Sequence, residues 1–219
     1  MFLALEHFAP GLGSAPLVLD LGSGAGHVAY AVRACGGRSL CIDIERDVLA
    51  SSRTQYPGGE HVAADAACLP LADRSVDAIY CFSVLQYVSR TAALIEMHRV
   101  LKPGGRVVIV ENLGGGPWAL GYRMFRRLSG PCFPARLTAM RRLSWDERAG
   151  LTDVFPGARV DAFCLLSIVW LLLPQVWRGT EKSLGWLSGP IRTTNRLDAF
   201  LLARFEWLWR GAWLLLLRR

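Results

Sequence analysis

Short apolar runs alternate with longer amphipathic segments through the first half of the chain. The apolar runs predict buried strands at residues 17–21, 39–42, 62–64, 76–82 and 106–111. The segments between them predict helices at residues 26–35, 46–56 and 91–101. Thr91 is the expected cap of the third helix, and the Lys-Pro-Gly-Gly stretch at 102–105 is expected to end it. Apolar strands alternating with helices indicate a doubly wound α/β fold, with a parallel sheet covered on both faces.

Three aspartates follow this pattern at regular spacing. Asp20, Asp43 and Asp65 each come at the carboxyl end of a predicted strand, about one strand–helix unit apart. Because ligands bind at the carboxyl edge of an open parallel sheet, we expect the three carboxylates to face one site. Ionised acids only accept hydrogen bonds, which suits a ligand rich in hydroxyl and amino groups. The alternative is that each aspartate caps the helix after it.

A glycine-rich turn follows the first strand, with Gly22, Gly24 and Gly26 two residues apart. A dinucleotide fold needs the spacing G-x-G-x-x-G, because its pyrophosphate rests on the helix N-terminus. Here the third glycine is one place early and Asp20 precedes the turn. A carboxylate repels a pyrophosphate but attracts an ammonium or sulfonium group. The turn therefore favours a positively charged nucleoside over the cofactor of a nicotinamide oxidoreductase.

Composition and charge indicate a folded chain with two electrically different halves. Of its 219 residues, 52% are hydrophobic and 20% charged, which excludes a disordered protein. We expect a single domain over 1–219. Residues 1–111 carry nine Lys and Arg against eleven Asp and Glu, whereas residues 112–219 carry sixteen against seven. The second half could therefore meet anionic lipid, an anionic substrate or nucleic acid, or could present a solvated basic face.

Six scattered cysteines, without C-x-x-C spacing, predict reduced and mostly buried thiols rather than disulfides or a metal site. The first residues lack the basic and apolar regions of a signal peptide. Both observations lead us to expect a cytoplasmic protein that binds no metal, with contact to the membrane surface as a further hypothesis.

Four segments together carry a family resemblance. The sequences VLDLGSGAGH, CIDIE, AADAACLPLADRSVDAIYCFSVLQYV and HRVLKPGGRVVIVE, in this order and spacing, resemble the class I S-adenosylmethionine-dependent methyltransferases. They are most similar to the type 11 small-molecule branch, which includes quinone-biosynthesis enzymes, and cover roughly residues 15–112. The resemblance implies a seven-stranded Rossmann-like sheet ending in an antiparallel hairpin, for which residues 158–170 and 211–219 suit strands six and seven. It also implies S-adenosylmethionine as cofactor and S-adenosylhomocysteine as product.

The resemblance implies roles for residues at the predicted sheet edge. Asp20, Gly22 and Gly24 would line the methionine part of the cofactor, with Ser23 and Gly26 in the same turn. Asp43 would bind the ribose hydroxyls and Ile44 would pack on the adenine. Asp65 would accept from the adenine amino group, with the backbone N–H of Ala66 beside the ring. Cys81 and Phe82 would border the sulfonium end.

The chain departs from the family where the reaction would occur. Many relatives carry a histidine at one of two positions in this segment. This chain has Gln86 and Tyr87 there, so it lacks a histidine base at these positions. Methyl transfer depends mainly on proximity and orientation, and needs a base only if the acceptor loses a proton early. Tyr87, Gln86 and Glu111 are the catalytic candidates, each against a packing or capping role. His7, Tyr122 and Arg123 are candidates for a lid. The missing histidine keeps open a non-methylating cyclase or a cofactor-binding scaffold partner.

The second half should determine the acceptor. Aromatic and arginine residues fill an insertion after the fifth strand, and Ser144 and Glu147 form a capping-box pattern before the next helix. Residues 195–209 are apolar on a helical period and carry arginines, which is typical of a membrane-surface helix or of one packed on the sheet or a second subunit. Residues 2–8 suit a short cofactor-covering helix, and 171–195 have no counterpart in the family. We expect O-, N- or C-methylation of a hydrophobic or lipid-linked small molecule, with anionic character of that molecule as a further hypothesis, and no nucleic acid.

Overall fold

The computed structural model describes residues 14–114, 141–163, 188–205 and 213–218. Seven strands form one sheet in the order β3-β2-β1-β4-β5-β7-β6. The strands are β1 (Leu17–Leu21), β2 (Arg38–Asp43), β3 (Glu60–Ala63), β4 (Val76–Phe82), β5 (Leu101–Asn112), β6 (Arg159–Phe163) and β7 (Trp213–Arg218). The helices within these residues are α1 (His27–Ala34), α2 (Arg46–Gln55), α3 (Arg90–Val100), α4 (Arg148–Val154) and α5 (Ser188–Arg204).

The sheet confirms the predicted fold class. Strands β1 to β5 pair in parallel, and β7 runs antiparallel between β5 and β6. Strand order reverses at β1, because the chain passes from β1 outward to β2 and β3 and then returns to β4 on the other side of β1. A ligand site is therefore expected beyond the carboxyl ends of β1 and β4.

The central strands are buried on both faces, which explains their nearly continuous apolar sequence. Alternate residues point to opposite faces, so Leu19 and Ile79 belong to one core cluster and Val18 and Tyr80 to another. The first cluster includes Met97 of α3, which is fully buried. The sheet is thus a rigid platform from which the strand ends project their side chains.

Two predicted boundaries are wrong near the third helix. Helix α3 begins at Arg90, with Ser89 rather than Thr91 at the N-cap position. Strand β5 begins at Leu101, so residues 102–105 lie within it instead of forming a separate helix stop. The register explains this, because Val76 faces Leu101 while Ala78 faces Arg106, which leaves the Pro-Gly-Gly stretch as an irregularity. Gly104 adopts the left-handed φ of 73° that this irregularity requires.

In the second half, the predicted capping box is confirmed, whereas the helix predicted at 195–209 lies at Ser188–Arg204. The capping box forms, since the Ser144 N–H donates to Glu147 Oε2 (2.8 Å) and the Glu147 N–H donates to Ser144 Oγ (3.3 Å). Helix α5 begins seven residues before the predicted start at 195. Outside the described residues lie the predicted covering helix at 2–8, the lid candidates His7, Tyr122 and Arg123, and all of 164–187.

The described cysteines are reduced, and the described helices can be compared with the length of a membrane span. Cys35, Cys41, Cys68 and Cys81 are free thiols, as expected, although Cys35 and Cys68 are exposed rather than buried. Among the described residues, none of the helices combines the length and apolar character needed to cross a membrane.

Candidate functional site

The turn after β1 uses three glycines in left-handed conformations. Gly22, Gly24 and Gly26 have φ values of 69°, 51° and 81°. A Cβ on Gly22 would lie 2.2 Å from Val84 Cγ2, and one on Gly26 would lie 2.2 Å from Ser52 Oγ. A Cβ on Gly24 would have no atom within 4 Å. Gly22 and Gly26 therefore permit close packing, while Gly24 faces open space at the carboxyl edge of the sheet.

Asp43 connects this turn to the end of β2. Its Oδ2 accepts from the Gly24 N–H and its Oδ1 accepts from the Glu45 N–H, each at 3.0 Å. Glu45, not Asp43, is at the N-cap position of α2, so a simple capping role for Asp43 is excluded. The next residue, Ile44, exposes 69% of its surface, which leaves a large apolar side chain open beside this carboxylate.

Asp65 lies beyond the end of β3 on the same edge of the sheet. It is exposed, and its Oδ1 accepts from the Ala67 N–H at 2.8 Å. Ala66, between them in sequence, is buried. The structure thus brings the glycine turn and the residues around Asp43 and Asp65 to one edge, as the spacing predicts.

Asp20 is the most unusual acid of this edge. It is only 3% exposed, and its Oδ2 has no hydrogen-bond partner among the described residues. Its cross-strand neighbours are Cys41 on β2 and Tyr80 on β4. Burial, with a smaller contribution from the Asp43 charge, raises the pKa of Asp20 from 3.8 to about 7. A positively charged ligand group nearby would favour the ionised carboxylate and compensate its burial.

The loop after β4 contains the two residues that replace the histidine. It starts at Ser83, a non-glycine residue at φ 61°, and such strain is often found at functional sites. Gln86 is buried at 4% exposure, and its Nε2 donates to the carbonyl oxygen and the hydroxyl of Ser83. Tyr87 is 51% exposed. Of the two, only Tyr87 has a broadly exposed side chain.

Glu111 supports this loop from β5. Its Oε1 accepts from the N–H groups of Val84 (2.8 Å) and Leu85 (2.7 Å). The side chain is fully buried, and burial raises the pKa of Glu111 to about 7, although those two backbone donors and the charge of Arg90 lower it. These contacts make Glu111 a support for the backbone of the loop.

Cys81 and Phe82 end β4 just before this loop. The Cys81 side chain is fully buried in the first core cluster, and burial raises the pKa of this thiol well above its ordinary value. Only the backbone of Cys81 is therefore available to border a ligand. Phe82 is half-buried and packs with the second core cluster.

Sequence reasoning missed Val84, although it fixes the distance between the two loops. Its side chain occupies the space that a Cβ on Gly22 would need. The chain signals this contact only through the glycine itself, since residues 22 and 84 meet through tertiary packing. Sequence reasoning also missed Arg90, which touches the same loop. Among the described residues, no group of three or more His, Cys, Asp or Glu side chains could hold a metal ion.

Comparisons with known proteins agree with the geometry. A model of the family described as methyltransferase domain matches residues 19–109. The malonyl-(acyl-carrier protein) O-methyltransferase of Methylococcus capsulatus is 40% identical over 156 residues, covering 68% of this chain and 56% of that protein. The demethylmenaquinone methyltransferase of Clavibacter sepedonicus is 39% identical over 98 residues, covering 43% of this chain and 40% of that protein. The chain thus spans about half or less of the length of these two curated relatives.

Solved structures share the fold along nearly the whole chain. The phosphoethanolamine N-methyltransferase 2 of Haemonchus contortus, in complex with S-adenosylmethionine, has a TM-score of 0.68 at 16% identity, covering 99% of this chain and 51% of that one. The 4+2 cyclase SpnF has a TM-score of 0.63 at 20% identity, covering 99% of this chain and 77% of that one. At such low identity these likenesses show the fold alone, which serves transferases and a cyclase.

Proposed function

Because the chain belongs to the class I S-adenosylmethionine-dependent methyltransferases, in the small-molecule branch of the quinone-biosynthesis enzymes, we propose that it transfers a methyl group to a small molecule. The proposal depends above all on one observation at the carboxyl edge of the sheet. There Asp20, which has a buried oxygen without a partner among the described residues, precedes a glycine turn whose middle residue faces open space. An acid of this kind is costly to bury unless a ligand completes its interactions.

The residues of this edge fit S-adenosylmethionine. Asp20 and the turn at 22–26 would hold its methionine part, since a carboxylate attracts both the ammonium and the sulfonium. Asp43 would accept from the ribose hydroxyls with lone pairs that its two backbone donors leave available. Ile44 would cover the adenine, and Asp65 with the Ala66 N–H would bind its polar edge.

The chain would promote the reaction mainly by orientation. When bound, S-adenosylmethionine supplies a methyl carbon activated by its positively charged sulfur. The loop at 83–87 would hold the acceptor in line with that carbon, which can supply much of the rate enhancement. Tyr87 is the residue we propose for contact with the acceptor, because its side chain is exposed at this loop. Gln86 would orient the loop, since its amide does not titrate and is bonded to Ser83.

We propose a hydrophobic or carrier-linked acceptor with anionic character. The named relatives act on malonyl-(acyl-carrier protein) and demethylmenaquinone. Residues 112–219, which follow the cofactor half, hold sixteen Lys and Arg against seven Asp and Glu, and they are rich in tryptophan. Such a composition suits an apolar molecule that carries negative charge.

Methyl transfer is tested with radiolabelled S-adenosylmethionine and a panel containing malonyl-(acyl-carrier protein), demethylmenaquinone and shorter-chain analogues. We expect S-adenosylhomocysteine to bind and to stabilise the protein against heat, and one acceptor to become labelled. Tyr87→Phe should lower kcat/KM about tenfold or more if its hydroxyl contacts the acceptor. Failure of both S-adenosyl ligands to stabilise the protein would contradict the proposal. Ligand binding with an altered acceptor but no release of S-adenosylhomocysteine would favour the cyclase instead.

We further propose that α5 places the protein at an anionic membrane surface. Arg196, Leu197, Phe200 and Arg204 lie within about 100° of arc on this helix, since each residue advances about 100°. All four are exposed, Phe200 by 64% and Leu197 by 45%, whereas Asp198 on the opposite face is buried. An outward face with apolar side chains and only positive charge among these residues complements anionic headgroups.

Sedimentation with vesicles of phosphatidylcholine, alone or mixed with phosphatidylglycerol, tests this surface. We expect binding only to the anionic vesicles, reduced several-fold by Phe200→Ser and by Arg196→Glu. Ile95→Ser is the matched control, because Ile95 is 57% exposed on α3. Equal effects of Phe200→Ser and Ile95→Ser would contradict the proposal, as would a dimer in solution that Phe200→Ser dissociates.

A further inference from the structure

Arg90 is the first residue of α3 and joins this helix to two other segments, the loop after β4 and residues 141–147. Its Nε donates to the Leu85 carbonyl oxygen at 3.2 Å. Its other guanidinium nitrogens donate to Glu147 Oε1 and to the Arg141 carbonyl oxygen. The Arg90 side chain is only 14% exposed, so its bonds to Leu85 and Glu147 are partly shielded from solvent, whereas the bond to the Arg141 carbonyl oxygen is exposed. A single guanidinium therefore connects the loop after β4 with residues 141–147.

Residues 141–147 are themselves fixed to the end of β5. Leu143 forms a bridge with Leu113, and the Gly114 N–H donates to the Leu143 carbonyl oxygen at 2.9 Å. A Cβ on Gly114 would lie 2.9 Å from Arg142 Cβ, so the two segments pack backbone against backbone. The capping box then holds Glu147 in place through Ser144. Glu147 thus reaches Arg90 from a fixed platform.

The loop at 83–87 is bonded from both sides. Glu111 accepts from the N–H groups of Val84 and Leu85. On the other side, the Leu85 carbonyl oxygen accepts from Arg90 and the Gln86 carbonyl oxygen accepts from the Arg141 N–H at 2.9 Å. Because Ser83 starts the loop in a strained conformation, the loop needs such bonds to keep its shape.

We propose that Arg90, paired with Glu147, is a positioning residue that fixes the loop carrying Gln86 and Tyr87 against the acceptor. This inference rests on the proposed methyl transfer and adds to it a residue that touches neither the cofactor edge nor the reacting atoms. The planar guanidinium is suited to this, since it offers several donors in a fixed geometry. Asp43 bonds the turn at 22–26 to β2 and to the start of α2, and the turn meets the loop through the packing of Val84 on Gly22, so Arg90 should affect cofactor affinity less than it affects the acceptor.

The test compares Arg90→Gln, Arg90→Lys and Glu147→Gln in the full chain with Arg99→Gln as matched control. Arg99 lies on the same helix and also donates to two carbonyl oxygens, of Leu69 and Leu71, and to carboxylates, but away from the loop. Three quantities are measured: hydrogen exchange of the Val84, Leu85 and Arg141 amides, the Kd of S-adenosylhomocysteine, and kcat and KM with the acceptor that the panel identifies.

We expect Arg90→Gln and Glu147→Gln to raise exchange at those amides about tenfold and to raise the acceptor KM about tenfold. The Kd of S-adenosylhomocysteine should change less than threefold, and Arg90→Lys should recover part of the loss. Arg99→Gln should lower thermal stability without changing KM. Unchanged exchange in Arg90→Gln, or a rise of the S-adenosylhomocysteine Kd that matches the rise in KM, would overturn the inference. Failure of the proposed function appears earlier, as absent ligand binding or methyl transfer in the unaltered chain. If the panel yields no acceptor, the exchange and Kd measurements decide.

Discussion

The turn after β1 and the loop after β4 lie side by side, and a buried carboxylate adjoins each of them. Asp20 of β1 precedes the turn, and Glu111 of β5 is bonded to the loop. Burial raises the pKa of both carboxyl groups to about 7. Asp20 keeps an oxygen without a partner among the described residues, and the charge of Asp43 adds to the effect of burial on its pKa. Glu111 also keeps a buried oxygen, Oε2, without a partner among the described residues, but its Oε1 accepts two backbone N–H groups. The two acids therefore differ in what they hold: Glu111 supports the backbone of a loop, and we propose that Asp20 meets a ligand. Burial of an acid alone does not identify a binding residue.

The largest expected effect is a loss of ligand affinity when the first region, around the turn after β1, is changed. Asp43→Ala removes the acceptor of the Gly24 and Glu45 N–H groups together with the proposed ribose contact. We expect the Kd of S-adenosylhomocysteine to rise at least hundredfold, about 3 kcal/mol at 1.4 kcal/mol per tenfold. Isothermal titration measures this. Asp73→Ala, which removes an exposed carboxylate paired with Arg99, is the control and should leave the Kd unchanged.

Substitutions of Glu111 test whether it supports the loop or acts as a base. Glu111→Ala leaves two backbone N–H groups without their acceptor and should lower the free energy of unfolding by about 2–3 kcal/mol in urea titrations. Glu111→Gln keeps an oxygen for both donors, so kcat should fall less than threefold. A loss of about a hundredfold or more with Glu111→Gln would instead identify a general base.

Much of the first region could be predicted because its signals are local. Apolar runs ending in Asp20 and Asp43 mark strands whose ends meet at one edge, whatever the packing details. Left-handed glycines are visible in the sequence as glycines. Outside this region, the capping box of Ser144 and Glu147 could also be predicted, because it needs only a four-residue pattern.

The second region could not be predicted because it depends on contacts between distant segments. Arg90 and Glu147 are 57 residues apart in sequence and meet only once the sheet has formed. Ser83 gives no sign in the sequence of its left-handed backbone, since serine rarely adopts it. The start of β5 was missed for a related reason, because its pairing with β4 carries Pro103 and Gly104 in an irregularity.

A smaller effect comes from the glycine that faces open space. Gly24→Ala and Gly36→Ala both place a side chain at positive φ, and neither Cβ would meet an atom within 4 Å. Both should lower the free energy of unfolding by about 1 kcal/mol through backbone strain. Only Gly24→Ala should also raise the Kd of S-adenosylhomocysteine, by about tenfold, because only Gly24 lies at the proposed site. Equal Kd values for the two variants would remove Gly24 from that site.

The effect that is smallest at acid pH, and that grows with pH, is a difference in stability between the unaltered chain and Asp20→Asn. Because the folded pKa of Asp20 is about 7 and its ordinary value is 3.8, the folded protein holds a proton that the unfolded chain loses. This contribution is complete below pH 4 and is lost as the pH rises through about 7. Asn does not ionise, so the variant's advantage in Tm should grow between pH 4 and 8. A pKa that rises from 3.8 to about 7 corresponds to about 4 kcal/mol by pH 8, or about 8–16 °C in Tm for a chain of this length. Glu111 titrates equally in both proteins and cancels. Saturating S-adenosylhomocysteine should narrow the difference at pH 8, because its ammonium favours the ionised carboxylate, and a pH-independent difference would show that Asp20 is already charged at acid pH.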